Sequence, residues 1–279
     1  MMNQRTYTKL ISLVFVVLCL AFTTEIVRAH EGVDEHIVAI TKKIKRDPKN
    51  ALLYLQRGEL YRVHRNWSHA AADYDRAVRL QPGLTIVDLA RGRMFFESGK
   101  FSRAKFVLDR FLRERPNDVE GLTTRARVFA KLAARTEAVD DFTQAIALMQ
   151  PPEPELYLER AEVLGGDIRS VQDALRGLDE GIKRLGPLVT LQLAAIDIEV
   201  RSRNYDAALT RLDHIAAQSE RKETWLVRRG EILKAAGRNE EARNAFNAAL
   251  MAIDTLPPAR RNNRAINALQ LRARSGLRM

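Results

Sequence analysis

Residues 50–82 read NALLYLQRGELYRVHRNWSHAAADYDRAVRLQP, and this stretch returns in altered form along most of the 279-residue chain. Its landmark is Ala70, because equivalent alanines follow at intervals of 34, 34, 36, 34 and 34 residues. The six positions are Ala70, Ala104, Ala138, Ala174, Ala208 and Ala242. A fixed period of this length is typical of a stacked array of one supersecondary unit.

Each alanine begins an apolar stripe. Four residues after it stands a bulky apolar residue, at Tyr74, Leu108, Phe142, Leu178, Leu212 and Phe246. Three residues further on, Ala77, Phe111, Ala145, Gly181, Ile215 and Ala249 complete the spacing i, i+4, i+7. That spacing predicts an α-helix with one buried face in every unit.

A second helix is predicted in front of each alanine. A small residue stands twelve positions before it in four units, at Gly58, Gly92, Ala126 and Gly230, where it would let the two helices approach closely. Gly99 and Gly237 lie in the turn between the helices, where glycine readily adopts positive φ. Pro82 and Pro116 end the second helix and begin the next unit.

These residues resemble the tetratricopeptide repeat, which orders a small residue, an aromatic, a turn, alanine, an aromatic, alanine and proline over 34 positions. Residues 50–82 and 85–116 fit that pattern well. The fourth unit carries two surplus residues, and the fifth has Ile196 at the small position. The resemblance implies an all-α fold, a right-handed solenoid of about six helix-turn-helix repeats over residues 51–257.

A repeat array needs caps at its ends, because each unit buries its surface only against its neighbours. Residues 30–50 include an amphipathic stretch, 35–45, with Ile37, Ile40 and Ile44 on one face. Residues 258–279 form a basic segment in which Ile266, Leu269 and Ala273 share a face. We predict one capping helix in each segment.

Residues 1–29 have the pattern of an export signal. Arg5 and Lys9 precede the apolar run 10–22, and Val27 and Ala29 precede a possible cleavage site. The expected location is the periplasm or the extracellular space, with no stable membrane insertion after cleavage. An uncleaved anchor and lipidation at Cys19, the chain's one cysteine, are the alternatives.

The chain is basic, with a formal net charge of +11, and arginine makes up most of its cations. Such a surface favours anionic partners, although a solvated basic surface that aids solubility is the plain alternative. Nucleic acid is not expected as a partner. Export removes most nucleic acid from reach, and no basic motif interleaved with aromatic residues is present.

An arginine column precedes the small positions, at Arg57, Arg91, Arg125, Arg160 and Arg229. Asp73 and Asp141 stand sixteen residues after two of these arginines. We predict the ion pairs Arg57–Asp73 and Arg125–Asp141, each within one helix pair, and no such partner for Arg91, Arg160 and Arg229. The column is interpreted as structural, with packed aliphatic stems.

The tetratricopeptide resemblance also implies a concave groove lined by the first helix of each unit. Its predicted partner-binding residues are Arg62, Arg93, Phe96, Arg127 and Lys131, a positive patch beside an aromatic ring. The later units offer acid at Glu162, Asp197 and Glu231. A peptide with an acidic and apolar segment would match this groove. The alternative is an unused, solvated face.

No catalytic residues, metal site or cofactor are predicted. The sequence ESGKF at 97–101 lacks the glycine spacing of a phosphate-binding loop and is interpreted as a turn. A copper site at an N-terminal His30 with His36 is a remote alternative that depends on the cleavage site.

The sequence thus predicts an exported, non-catalytic scaffold that binds another protein or a peptide. The alternative is an accessory anion-binding subunit that docks an envelope enzyme to a polyanionic glycan or lipid.

Overall fold

The computed structural model describes residues 35–165 and 168–278. Within these ranges the regular elements are helices and no strand occurs. The predicted all-α helical-repeat fold is therefore confirmed. The predicted export signal, residues 1–29, lies outside the described residues. The described residues divide into two compact units, the first ending at Leu132 and the second beginning at Ala133.

The first unit begins with a helix over residues 35–46, here α1. It continues with α2 (Ala51–Val63), α3 (Trp67–Leu80), α4 (Ile86–Glu97), α5 (Phe101–Glu114) and α6 (Val119–Lys131). Helix α2 pairs with α3, and α4 pairs with α5. The first helices of successive repeats lie side by side, α2 against α4 and α4 against α6.

The second unit contains helices α7 to α15 and a short 3₁₀ helix, Ile168–Ser170. Its helices are α7 (Arg135–Leu148), α8 (Pro154–Gly165), α9 (Val171–Leu185), α10 (Val189–Arg201), α11 (Tyr205–Ala217), α12 (Lys222–Ala235), α13 (Asn239–Asp254), α14 (Pro258–Arg261) and α15 (Arg264–Leu277). The pairs are α8 with α9, α10 with α11, and α12 with α13.

The tight turns within the repeats contain one residue in the left-handed conformation. Glycine holds this place at Gly99 and Gly237, with φ of 73° and 75°. The positions 34 residues before Gly99, after Gly99 and before Gly237 have side chains, yet Arg65, Ala133 and Arg203 adopt φ of 56°, 58° and 61°. The repeat geometry therefore overrides the steric cost of positive φ, roughly 1–2 kcal/mol for a residue with a Cβ.

The predicted repeat anchors lie at the centre of the units. All six period alanines are fully buried, and so are the bulky residues four positions later, with exposures of 0–1%. Predicted small residues sit directly under large side chains. A Cβ added to Gly58 would lie 2.6 Å from Tyr74, and one added to Gly230 would lie 2.6 Å from Phe246. The small residue thus sets the distance between the paired helices.

The two irregular units keep their packing by other means. In the fourth unit Ala161, which follows Arg160, is buried at the small position. A further close approach places Tyr157 of α8 over Gly181 of α9, 2.9 Å from a Cβ built there. In the fifth unit Ile196 is completely buried at the position where a small residue was expected. The fourth unit therefore keeps a small residue at this position, whereas the fifth packs a large aliphatic one there.

Helices α1 and α15 lie in the two segments for which capping helices are predicted. On α1, Ile44 is buried and Ile40 packs against the core of the first unit. On α15, Ile266, Leu269 and Ala273 are buried in the core of the second unit. Asn263 caps α15, because its side chain accepts a hydrogen bond from Ile266 N at 2.9 Å.

We predict that Gly92→Ala lowers the free energy of unfolding by about 1–3 kcal/mol, because its Cβ would lie 2.5 Å from Leu108 Cδ2. Gly83→Ala is the control, since no atom lies within 4 Å of a Cβ at that position. Urea unfolding followed by circular dichroism measures both. Equal effects would contradict this packing, and Leu108→Val should recover part of the loss in Gly92→Ala.

Candidate functional site

The five predicted groove residues lie on the three neighbouring first helices of the first unit. Arg62 is at the end of α2, Arg93 and Phe96 are on α4, and Arg127 and Lys131 are on α6. Lys131 is exposed, whereas the other four are half-buried. We call these five residues, together with Glu59, Glu97 and Glu120, the α2/α4/α6 surface.

Glu59 is the centre of this surface. Its Oε2 accepts hydrogen bonds from Arg62 Nε at 3.2 Å and from Arg93 Nη2 at 2.9 Å. Its Oε1 accepts a hydrogen bond from the hydroxyl of Tyr74, a repeat anchor. Burial and this hydrogen bond raise the pKa of Tyr74, so the phenol stays protonated and keeps donating. The repeat core therefore fixes the position of Glu59.

A second carboxylate lies at the other edge of each arginine. Nη1 of Arg62 donates to Glu97, and Nη1 of Arg93 donates to Glu120. Burial alone would lower the pKa of Arg62, but the glutamates raise it above its ordinary value. Both arginines are thus held between two carboxylates across α2, α4 and α6.

These contacts correct the sequence interpretation of a positive patch. Arg62 and Arg93 form ion pairs with three carboxylates of the same chain. The positive charge of this part of the surface is therefore neutralised by the chain's own glutamates. The sequence spacing alone could have indicated the pairing of Glu59 with Arg93. The two residues are 34 positions apart and therefore occupy equivalent positions in successive repeats. Glu97 and Glu120 lie at other positions of the repeat and required the structure.

Phe96 contributes a half-buried apolar ring to the surface. Phe101, the first residue of α5, covers part of it, with ring centroids 5.9 Å apart. Glu97, the next residue along α4, is the partner of Arg62. The end of α4 therefore carries an aromatic residue and a charged residue in succession.

The second unit shows the same neutralisation. Asp197, predicted to offer free acid, forms an ion pair with Arg228. Glu231 accepts hydrogen bonds from Arg272 of α15 at 2.8 and 2.7 Å. These two acids therefore join neighbouring helices.

The arginine column forms a ladder of internal ion pairs. The predicted Arg57–Asp73 pair is confirmed, with two hydrogen bonds of 2.7 Å from Nε and Nη2. The hydrogen bond to Asp73 raises the pKa of Arg57 against the opposing effect of burial. Arg57 also donates to Thr41 of α1 at 3.1 Å. One side chain thus ties together α1, α2 and α3.

Arg91, Arg160 and Arg229 have no aspartate sixteen residues downstream, but each has a partner elsewhere. Arg91 pairs with Asp75 and Arg229 pairs with Asp213, each sixteen residues upstream. Arg160 donates to Thr143 and Glu180 at 3.2 and 3.1 Å. The upstream partner lies on the second helix of the preceding repeat, so the column joins neighbouring repeats.

Arg125 follows the same rule and donates to Asp109, sixteen residues upstream, at 3.0 Å. Asp141, its predicted downstream partner, belongs to the second unit, whereas Arg125 belongs to the first. The Arg125–Asp141 pair therefore stays a prediction.

The described residues contain no group of three His, Cys, Asp or Glu side chains that could hold a metal ion. Among the described helices, none has the length and hydropathy that crossing a lipid bilayer requires. The predicted cleavage site ahead of His30, and with it the copper site, lies outside the described residues.

Residues 178–270 match a family model described as a tetratricopeptide repeat-like domain. This match covers the end of the fourth repeat, the fifth and sixth repeats and part of α15. A search of curated proteins gives no match.

Solved structures resemble the chain over most of its length. The C-terminal part of a tetratricopeptide repeat protein from Cytophaga hutchinsonii superposes with a TM-score of 0.67 at 13% identity, covering 89% of this chain and 95% of that one. PilW, a type IV pilus biogenesis factor, gives 0.57 at 19% identity, with coverage of 81% and 100%. A tetratricopeptide repeat protein from Parabacteroides merdae gives 0.54 at 18% identity, with coverage of 87% and 92%. The fold is therefore of the tetratricopeptide type.

We predict that Asp73→Asn lowers the free energy of unfolding by about 3 kcal/mol, because the buried Arg57 pair loses one charge. Asp75→Asn on the same helix is the control. Asp75 pairs with Arg91 but is half exposed, so the loss should be about 0–1 kcal/mol. Urea unfolding measures both, and equal losses would contradict the assigned burial.

Proposed function

We propose that the chain is an exported, non-catalytic scaffold that binds another protein or a peptide along the α2/α4/α6 surface. The tetratricopeptide-type fold supports the scaffold role, because paired helices in a repeat array present an extended surface for recognition. The export signal predicted in residues 1–29 supports a location in the periplasm or outside the cell.

The observation that carries this proposal is the placement of Arg62 and Arg93. Glu59 accepts hydrogen bonds from Nε of Arg62 and from Nη2 of Arg93. Glu59 in turn accepts a hydrogen bond from the hydroxyl of the buried Tyr74. The side chains of Arg62 and Arg93 are therefore already oriented in the unbound protein. This reduces the conformational entropy that is lost when a ligand binds.

The outer partners differ from Glu59 in exposure. The side chain of Glu120 is 55% exposed and that of Glu97 is 36% exposed, against 25% for Glu59. A carboxylate of the ligand can replace Glu97 or Glu120 at Nη1 while Glu59 stays in place. The two glutamates thus act as internal competitors for an acidic ligand.

Replacement of Glu97 or Glu120 by a ligand carboxylate determines which contacts contribute to affinity and which to specificity. One carboxylate replaces another, so the charge pair adds little net affinity but selects an acidic partner. Affinity has to come from apolar burial, for which Phe96 is available. Lys131, exposed at the end of α6, adds a cation beyond the neutralised part of the surface. The expected ligand is a peptide with an acidic residue beside an apolar one.

The anion-binding alternative is favoured by one observation. Residues 258–278 contain no acid. Arg264, Arg274 and Arg278 are exposed, and so is Leu271, at 71%. However, Arg272 is paired with Glu231, and Arg261 donates to the carbonyl oxygen of Leu256. Two arginines of this basic segment therefore make intramolecular contacts that position α14 and α15.

The test begins with peptides selected from a display library against the wild-type chain. Glu97→Gln and Glu120→Gln should each strengthen binding by about 0.5–1 kcal/mol, because an internal competitor is removed. Phe96→Ala should weaken it by about 1–3 kcal/mol. Isothermal titration calorimetry measures each affinity.

Glu114→Gln is the matched control, since Glu114 is an exposed glutamate of the same unit, at the end of α5. It should leave the affinity unchanged. Two results would contradict peptide binding by this surface. One is selection of peptides without acidic residues, and the other is an affinity that the substitutions at Glu97, Glu120 and Phe96 leave unchanged. Recovery of anionic glycan or lipid alone from an envelope extract would instead support the alternative.

A further inference from the structure

At one position of the repeat, the fifth unit has a smaller residue than the other five units. Eight residues after the period alanine stands a bulky aliphatic residue in five units, at Val78, Leu112, Ile146, Ile182 and Leu250. The fifth unit has Ala216 instead. A truncated side chain at a packing position leaves space, because protein interiors are otherwise closely filled.

The structure has a cleft at this position. It lies between α11 and α12 within the second unit, with a volume of about 200 Å³. Its apolar walls are Leu212, Ala216, Trp225 and Leu226. An apolar cavity of about 150 Å³ is known to hold benzene, so this cleft has room for one aromatic ring.

Three charged residues complete the lining of the cleft. Asp213 and Arg229 form an ion pair of the arginine ladder and neutralise each other. Lys222 is exposed and has no ion-pair partner in the described part of the chain. The cleft thus combines an apolar floor with one uncompensated positive charge.

Trp225 adds a second sign of an unfilled site. Its Nε1 is shielded from solvent and has no hydrogen-bond acceptor in the part of the chain that the structure describes. Buried indole N–H groups usually have a partner. The ring that forms one wall of the cleft therefore carries an unsatisfied donor.

We propose that this cleft binds an aromatic ring joined by a short linker to a carboxylate. The ring occupies the volume left by Ala216 and stacks beside Trp225, and the carboxylate pairs with Lys222. The site belongs to the second unit, so it does not depend on the function proposed for the α2/α4/α6 surface.

The experiment uses the full-length chain carrying Trp67→Phe, which leaves Trp225 as the one tryptophan. Titration with 3-phenylpropionate should give a saturable change in its fluorescence. The neutral 3-phenylpropionamide should bind about tenfold more weakly, because it lacks the charge that Lys222 recognises. Lys222→Gln should remove the difference between the two compounds.

Ala216→Leu restores the aliphatic residue of the other repeats and should fill the cleft. We expect an equal or higher melting temperature, which shows that the variant folds, and loss of the fluorescence response. Ala217→Leu, at an exposed position one residue further along α11, is the control and should respond like the parent. Tighter binding of N-acetylphenylalanine than of 3-phenylpropionate would assign the site to the end of a peptide, and the reverse order to a free acid.

Three results would overturn the proposal. They are no saturable response in the parent chain, equal affinity for the acid and the amide, or an undiminished response in Ala216→Leu.

Discussion

The close approach of two helices over a residue without a side chain is the constraint on which this chain depends. Gly58 lies under Tyr74, Gly92 under Leu108 and Gly230 under Phe246, each pair sixteen residues apart. The same spacing places Arg57 beside Asp73. The turn residues must then reverse the chain within a few positions, even where positive φ carries a steric cost, as at Ala133.

A second consequence concerns charge. The chain has a formal net charge of +11, yet many of its arginines are engaged with carboxylates inside the repeats. Buried carboxylates require such partners, because an unpaired charge away from water is very costly. Glu199, 3% exposed and paired with Arg211, shows the same rule in the second unit. Net charge alone therefore does not locate an anion-binding site in a protein of this type.

The sequence predicted the fold well because the period, the small positions and the apolar stripe are each repeated several times. It found the Arg57–Asp73 pair for the same reason. It missed Asp75 and Asp213 because only downstream partners were considered, whereas these lie on the preceding repeat. Contacts such as Arg93–Glu120 follow from the approach of α4 and α6 and have no repeat spacing to reveal them.

Site-specific photocrosslinking tests the central claim, recognition of a partner by the α2/α4/α6 surface, most directly. A benzoylphenylalanine would replace Phe96 on that surface or Phe106, which is 68% exposed on α5. The account predicts that position 96 captures one protein in cells, through a peptide with acidic and apolar residues, and that position 106 does not. Capture of the same protein from both positions, or from position 106 alone, would contradict it.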